Sequence, residues 1–281
     1  MSEDRGNNLI ALAQLDLAEV WQTRWLLFSS ALYAALAALF ILVGMRESNV
    51  LGFTGMGRVL MSLCHVLVLL LPLLALAGSG QVMNRSRDDG TLELLFSLPL
   101  ARWEYYCAIS AVRYLTLVSP LLVLMPALGV LGLIVFGQAI PWAFLGRALA
   151  ISAALLWSFV GIGLVISVRV SNQARALIYL LMTWVMSVTV LDFGLIGLML
   201  QWRLNPETVF LLACLNPVQC ARMALLSAAD PSLGTLGPVG FYLANRVGPN
   251  LLLALGITWP VLAGTLAWLI GWLSFRRGDL A

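Results

Sequence analysis

Residues 142–168 read WAFLGRALAISAALLWSFVGIGLVISV, an apolar run whose only charge is Arg147. Rising about 1.5 Å per residue as a helix, such a run crosses a hydrocarbon core of about 30 Å, which needs roughly 20 residues. Comparable runs occupy residues 25–45, 59–82, 103–136, 251–275 and the stretch from the polar turn at 169–175 to about 200. Charges fall between these runs, so the pattern predicts six transmembrane helices. A barrel would instead show segments of about ten residues with alternating polarity. Hydrophobic residues make up 61% of the 281, charged residues 10%, and the mean hydropathy is +0.96. A soluble core of this size has no room for so much apolar surface, and the expected solvent is lipid. The fold class is therefore all-α integral membrane, in one membrane domain spanning 25–281.

All 16 basic residues are Arg, and a phosphate-binding P-loop needs a Lys after its glycines, so no nucleotide site of that type exists here. H-E-x-x-H, G-x-S-x-G and paired histidines are also absent, leaving no nucleophile–base constellation to assemble. The net charge of +3 is spread along the span edges and forms no basic patch for nucleic acid. Cys64, Cys107, Cys214 and Cys220 form no C-x-x-C pair and are expected to behave mostly as small apolar residues. The chain opens Met1-Ser2-Glu3-Asp4 without a cleavable signal pattern, and its N-terminus is expected to be mature.

Residues 1–24 are expected to form an amphipathic interfacial helix, with Asp16, Glu19 and Thr23 on one side and Ile10, Ala13, Leu17, Val20 and Trp21 on the other. Between the second and third runs, residues 83–102 hold Arg85, Arg87, Asp88, Asp89 and Arg102 around an amphipathic stretch from Thr91 to Leu98, which predicts a short helix at the membrane face. Pro120 and Pro126 are expected kink sites in the third run. Residues 201–250 form the longest segment that does not span. Its apolar pieces, split at Asn216-Pro217, predict two short helices on the membrane or dipping into it. Arginines gather on one side, at 5, 24, 85, 87, 102, 169, 175, 276 and 277, which places both termini in the cytoplasm.

The stretch Asp88-Asp89-Gly90-Thr91-Leu92-Glu93-Leu94-Leu95-Phe96-Ser97-Leu98-Pro99-Leu100-Ala101-Arg102 resembles the acidic-G-T-L-E-x-L-L-x-x-P-x-x-R signature of type-2 ABC exporter (ABC-2) permeases. In that family this segment forms a cytoplasmic coupling helix that docks into a separate ATPase. The resemblance covers nearly the whole chain. It implies a bacterial inner-membrane permease paired with a second copy of itself and with two cytoplasmic ATPase subunits. ATP and Mg would then sit on that partner, with no cofactor or metal held by this chain. Within the family, Thr23-Arg24-Trp25-Leu26-Leu27, Leu51-Gly52-Phe53-Thr54, Leu191-Asp192 and Leu215-Asn216-Pro217-Val218 with Arg222 are similar to permeases of the transporter that matures nitrous oxide reductase. That likeness implies a role in copper-site assembly on a periplasmic maturation protein docked at the outer segment. A lipid, peptide or drug exporter of the same fold and an ATPase-independent channel or scaffold are the competing readings.

The residues to watch follow from this. Asp88, Asp89, Gly90, Thr91, Leu92, Glu93, Leu94, Leu95, Pro99 and Arg102 carry the coupling segment; Arg169, Asn172 and Arg175 form a second cytoplasmic turn; Asn216, Pro217 and Arg222 mark the outer segment. His65, Arg113 and Asp192 are polar groups inside apolar runs, where an ionisable side chain needs an interior partner or a water path. Asp192 either pairs with an Arg of a neighbouring helix or faces a translocation route. Arg147, near a span end, is explained by snorkelling. His65, beside Cys64 and Met61, has the donor set of a Cu(I) stop but reads more simply as a hydrogen-bonded structural histidine. Cys214, Cys220 and Met223 allow a disulfide or soft-metal contact, with apolar packing the simpler reading.

Overall fold

The computed structural model describes residues 2–35, 38–39, 55–136, 141–190, 206–229 and 243–278. Among these the chain is helical, with no strand. The helices are α1 (Ser2–Gln22), α2 (Trp25–Ala35), α3 (Gly55–Ser79), α4 (Val82–Asp88), α5 (Thr91–Phe96) and α6 (Arg102–Phe136). They continue with α7 (Trp142–Arg169), α8 (Gln173–Val185, prolonged by a π-helical turn at Met186–Val190), α9 (Pro206–Cys214), α10 (Pro217–Ala229) and α11 (Pro249–Arg277). Five stretches are long and apolar enough to cross a membrane: α3 running into α4, α6, α7, α8 with its π turn, and α11. Of the expected first crossing, α2 and residues 38–39 are described and the rest of that run lies outside the described residues, as does the end of the fifth.

In lipid no water is at hand for stray backbone groups, so each apolar run closes its hydrogen bonds internally as helix. Proline breaks that rule locally. Pro120 lacks the N–H that would serve the Thr116 carbonyl, and the Ser119 hydroxyl donates to that oxygen at 3.5 Å. α6 remains helical through both expected kink sites.

α7 is the centre of the bundle, contacting α3, α6, α10 and α11. Its small residues let neighbours come close. A Cβ on Gly264 of α11 would lie 2.7 Å from Trp157 Cδ1 and 2.8 Å from the Trp157 carbonyl oxygen, while one on Gly161 would strike the Gly264 carbonyl. Two backbones therefore touch at this crossing, the packing mode that small residues permit in membranes. Nearby, a Cβ on Gly163 would collide with Ser79 of α3. Of the two placements expected for the short helices after Asn216-Pro217, on the membrane or dipping into it, α10 takes the second. α10 is buried along most of its length among α3, α7 and α11, so it dips into the bundle.

α1 corrects the sequence reading. It lies along α6 and turns its acidic stripe inward: Leu12, Asp16 and Val20 are buried, whereas Ile10, Leu17 and Trp21 are exposed. Val20 shares a face with Asp16, four residues away, and does not oppose it. The cause is Arg113 of α6, itself 6% exposed. Its guanidinium donates to Asp16 Oδ1 at 2.6 Å and to Glu19 Oε1 at 3.3 Å. Burial pushes the Asp16 carboxyl above its ordinary range, and the guanidinium opposes that shift. The helix also ends earlier than expected. Arg24 adopts φ 53, a left-handed conformation unfavourable for a side chain with a Cβ, and so redirects the chain into α2.

Two outcomes follow from this packing. Gly264→Leu is expected to destabilise the folded chain by about 1–3 kcal/mol in a detergent thermal melt, the usual cost of overpacking, whereas Gly146→Ala, with open space around it, leaves the melt unchanged. Arg113→Met alone should cost about 3–5 kcal/mol, because it strands a buried carboxylate, and adding Asp16→Leu should recover most of the loss.

Candidate functional site

The segment between α3 and α6 is a rigid elbow. α3 stops at Ser79, a turn at Gly80-Gln81 follows, and α4 continues to Asp88. Gly90 then adopts φ 68 and ψ 4. No neighbour crowds its absent Cβ, so glycine is wanted there for backbone conformation alone. Its N–H donates to the Arg87 carbonyl at 3.0 Å and the Asp89 N–H to the Arg85 carbonyl at 2.9 Å, closing α4, while the Gly90 carbonyl accepts from Leu94 N–H at 3.2 Å to start α5. The short helix expected over 91–98 is present as α5, ending at Phe96, and a second short helix, α4, precedes it across the left-handed Gly90.

α5 buries Leu92 and Leu95 and presents Glu93 and Leu94 outward. Leu94 is 71% exposed and Leu98 53%. Asp88, Asp89 and Pro99 are exposed as well, and Thr91 is half-buried. The result is a protruding face that combines apolar tips with three carboxylates.

Four anchors hold the elbow to the bundle. Met83 N–H donates to Ser167 Oγ at 2.9 Å. Arg87 donates to the Val168 carbonyl at 3.2 Å, meeting one of the end carbonyls that α7 leaves without a helical partner. Gln173, at the start of α8, donates to Asp88 Oδ2 at 2.6 Å. Arg102 Nη1 lies 3.4, 3.2 and 3.0 Å from the carbonyls of Phe275, Arg276 and Gly278, capping the C-terminus of α11. An aromatic cluster sits beneath: Phe96 meets Tyr105 at 5.8 Å and Phe275 at 6.2 Å. Ala101 N–H donates to Glu104 Oε2 at 3.2 Å, a side-chain cap that fixes where α6 begins.

The turn at 169–175 joins the same surface. Asn172 Oδ1 accepts from Arg175 N–H at 3.1 Å and caps α8; Arg169 Nε donates to Ser274 Oγ of α11 at 3.3 Å. The two segments singled out separately in the sequence therefore form one end of the molecule, tied by Asp88–Gln173 and Arg87–Val168. Gln173, Glu104 and Ser167 escaped the sequence reading. Glu104 had a readable signal in its position three residues after the Ala101 cap; the other two did not.

The remaining polar residues lie elsewhere. Arg113 belongs to the α1–α6 pair. His65 is exposed on α3, and the structure does not describe the Cys64 side chain beside it; among the described residues no three His, Cys, Asp or Glu side chains cluster as metal ligands. Asp192 lies outside the described residues. Asn216 is buried and caps α10, its Oδ1 accepting from Val218 N–H at 3.0 Å and its amide donating to the Ser187 carbonyl at 2.6 Å. Pro217 follows at the first helical position, where its missing N–H costs nothing. Arg222 is half-buried on α10. The Cys220 thiol donates to the Cys214 carbonyl at 3.3 Å, and neither cysteine is in a disulfide.

Comparison with known proteins agrees with this architecture. A family model described as "ABC-2 family transporter protein" matches residues 10–279. A protein of Stutzerimonas stutzeri named "Probable ABC transporter permease protein NosY" is 29% identical over 96% of this chain and 99% of its own length. A Pseudomonas aeruginosa protein of the same name is 29% identical over 78% of this chain and 82% of its own. With a family match from end to end and a helical bundle of membrane-spanning length beneath it, the chain belongs to the ABC-2 family, as a membrane permease of an ABC transporter.

Proposed function

We propose that the α4–Gly90–α5 elbow is the surface through which a separate cytoplasmic ABC ATPase drives this permease. The carrying observation is the exposure of Leu94 and Leu98 on a segment otherwise firmly wired to α7 and α11. Two large apolar side chains held out at the polar end of a membrane bundle suit a partner's groove, in the manner of a helix laid into an apolar cleft. Asp88, Asp89 and Glu93 around them add charge selectivity. Because Met83 and Arg87 hold α7 while Arg102 holds α11, a push on α5 reaches those two helices through short hydrogen bonds. In this reading two copies of the chain pair, each served by one ATPase subunit carrying ATP and Mg, with both termini cytoplasmic. Asp88, Asp89, Gly90, Thr91, Leu92, Glu93, Leu94, Leu95, Pro99 and Arg102 form the coupling surface, joined by Arg169, Asn172 and Arg175.

The name shared by both relatives supports a finer reading, in which the output serves copper-site maturation of nitrous oxide reductase through a periplasmic protein docked on the outer segment at 201–250. α9 and the turn after it carry exposed Leu211 and Leu215 for such a contact. Co-purification with a periplasmic maturation protein distinguishes this from export of a lipid, peptide or drug.

The double substitution Leu94→Asp and Leu98→Asp is expected to reduce co-purification of the ATPase at least tenfold while leaving membrane insertion and far-UV helicity unchanged. Retained ATPase binding in that variant would place the coupling surface elsewhere.

A further inference from the structure

Cys214 closes α9 and Cys220 lies in the first turn of α10, on either side of the Asn216-Pro217 cap. The chain doubles back there: Asn216 N–H donates to the Ala213 carbonyl and Cys220 N–H to the Asn216 carbonyl, both at 3.1 Å. That turn brings the two side chains together. The Cys220 thiol lies 3.3 Å from the Cys214 carbonyl oxygen and within hydrogen-bonding reach of the Cys214 sulfur. An S–S bond needs about 2.05 Å between sulfurs, so thiols already in contact have little distance left to close. The two are not equivalent. Cys214 is partly exposed and Cys220 is only 2% exposed. The hydrogen bond from Cys220 holds the Cys214 thiol below the usual thiol range, while the same contact and burial push Cys220 up. One sulfur is reachable and readily ionised and the other is sheltered beside it, which is the division between attacking and resolving cysteine in thiol–disulfide exchange.

The pair lies at the end of the bundle opposite the elbow. α8 starts at Gln173, bonded to Asp88, and its π turn holds Ser187, whose carbonyl accepts from Asn216; at 1.5 Å per residue the two contacts are roughly 21 Å apart. α11 gives the same separation. A Cβ on Gly256 would lie 3.1 Å from the Cys220 carbonyl oxygen, and the Phe275 carbonyl that meets Arg102 is roughly 28 Å further along that helix. With the elbow cytoplasmic, the placement on which this inference rests, both cysteines are on the outer side, where thiols are oxidised.

We infer that Cys214 and Cys220 are a redox-active pair, converted from the dithiol seen here to a disulfide by a thiol–disulfide oxidant protein of the outer compartment. The Cys214 thiolate attacks one sulfur of the oxidant's disulfide, and the other sulfur leaves and takes up the proton that Cys214 gave up. Cys220 then loses its proton and attacks the Cys214 sulfur of the mixed disulfide, releasing the oxidant's second thiol. Both hydrogens and both electrons of the S–S bond formation pass to the oxidant, whose disulfide becomes a dithiol. The new bond staples α9, with exposed Leu211 and Leu215 on it and on the turn after it, to the buried α10. The state of the pair thus sets how firmly the apolar outer surface is held to the bundle.

Trypsin cuts after Arg203 and Arg222, so residues 204–222 form one peptide that holds both cysteines and neither Cys64 nor Cys107. Membranes containing the full-length chain are quenched with acid, denatured in N-ethylmaleimide and digested. This peptide is expected to carry no maleimide and to weigh two hydrogens less than after dithiothreitol, whereas the Cys107 peptide is alkylated. Purified, reduced protein in oxidised glutathione should close the same bond. Cys220→Ser should instead keep one glutathione on Cys214, and Cys214→Ser should take up glutathione at Cys220 at least tenfold more slowly. Two maleimides on the peptide from membranes overturn the inference; if glutathione still closes the bond in vitro, the fault lies in the outward placement and not in the geometry. Faster uptake at Cys220 than at Cys214 overturns the assigned roles. The wild-type peptide map decides the question even where a variant fails to fold.

Discussion

Contact between the α7 and α11 backbones at Gly161 and Gly264 sets the frame on which the other helices depend. Between lipid-facing helices there is no hydrophobic drive of the aqueous kind, so association rests on close packing and on polar contacts. Removing two Cβ atoms lets that packing reach its limit. Once α7 and α11 are locked, their ends are fixed relative to each other, and those ends hold the elbow. Ser167 and Val168 receive α4, while the last carbonyls of α11 receive Arg102.

The polar residues are placed by what lipid forbids. Arg113 is tolerable inside α6 because α1 brings a carboxylate to 2.6 Å and a second to 3.3 Å. α1 is therefore bound by charge on its inner face and bathed on its outer face by Ile10, Leu17 and Trp21. Helix C-termini elsewhere, rich in carbonyls without partners, attract Arg side chains for the same reason. Arg87 and Arg102 serve the bundle in this way. Their charge marks the membrane edge in the sequence, and their hydrogen bonds hold the elbow in the fold.

The elbow unites stiffness with exposure. Its inner residues, Leu92, Leu95 and Phe96, seat it on an aromatic floor of Tyr105 and Phe275. Its outer residues, Leu94 and Leu98, have no place to go within the chain. Gly90 lets the two short helices meet at an angle that a β-carbon would oppose. Hydrogen bonds to Ser167, Val168 and the end of α11 tie this segment to both helices.

Much of this was readable in order of residues. The apolar runs around Arg147 and the polar breaks at 83–102 and 169–175 determine helices and their approximate ends, because length and hydropathy in lipid leave the backbone no other choice. The Asn216-Pro217 split and the G-T-L-E stretch are equally local, since a cap, a proline and a left-handed glycine act within a few residues. What only the tertiary structure decided are relations between distant positions: that Asp16 faces Arg113, that Gln173 reaches Asp88, and that α10 is sunk among three helices. A helical period says which residues lie on a common face, but the long spanning helices α6, α7 and α11 have apolar residues on all sides, so hydropathy gives no sign of which face meets protein and which meets lipid. That choice is made by small residues and paired charges on the neighbouring helix, and neither is visible until the helices are placed together.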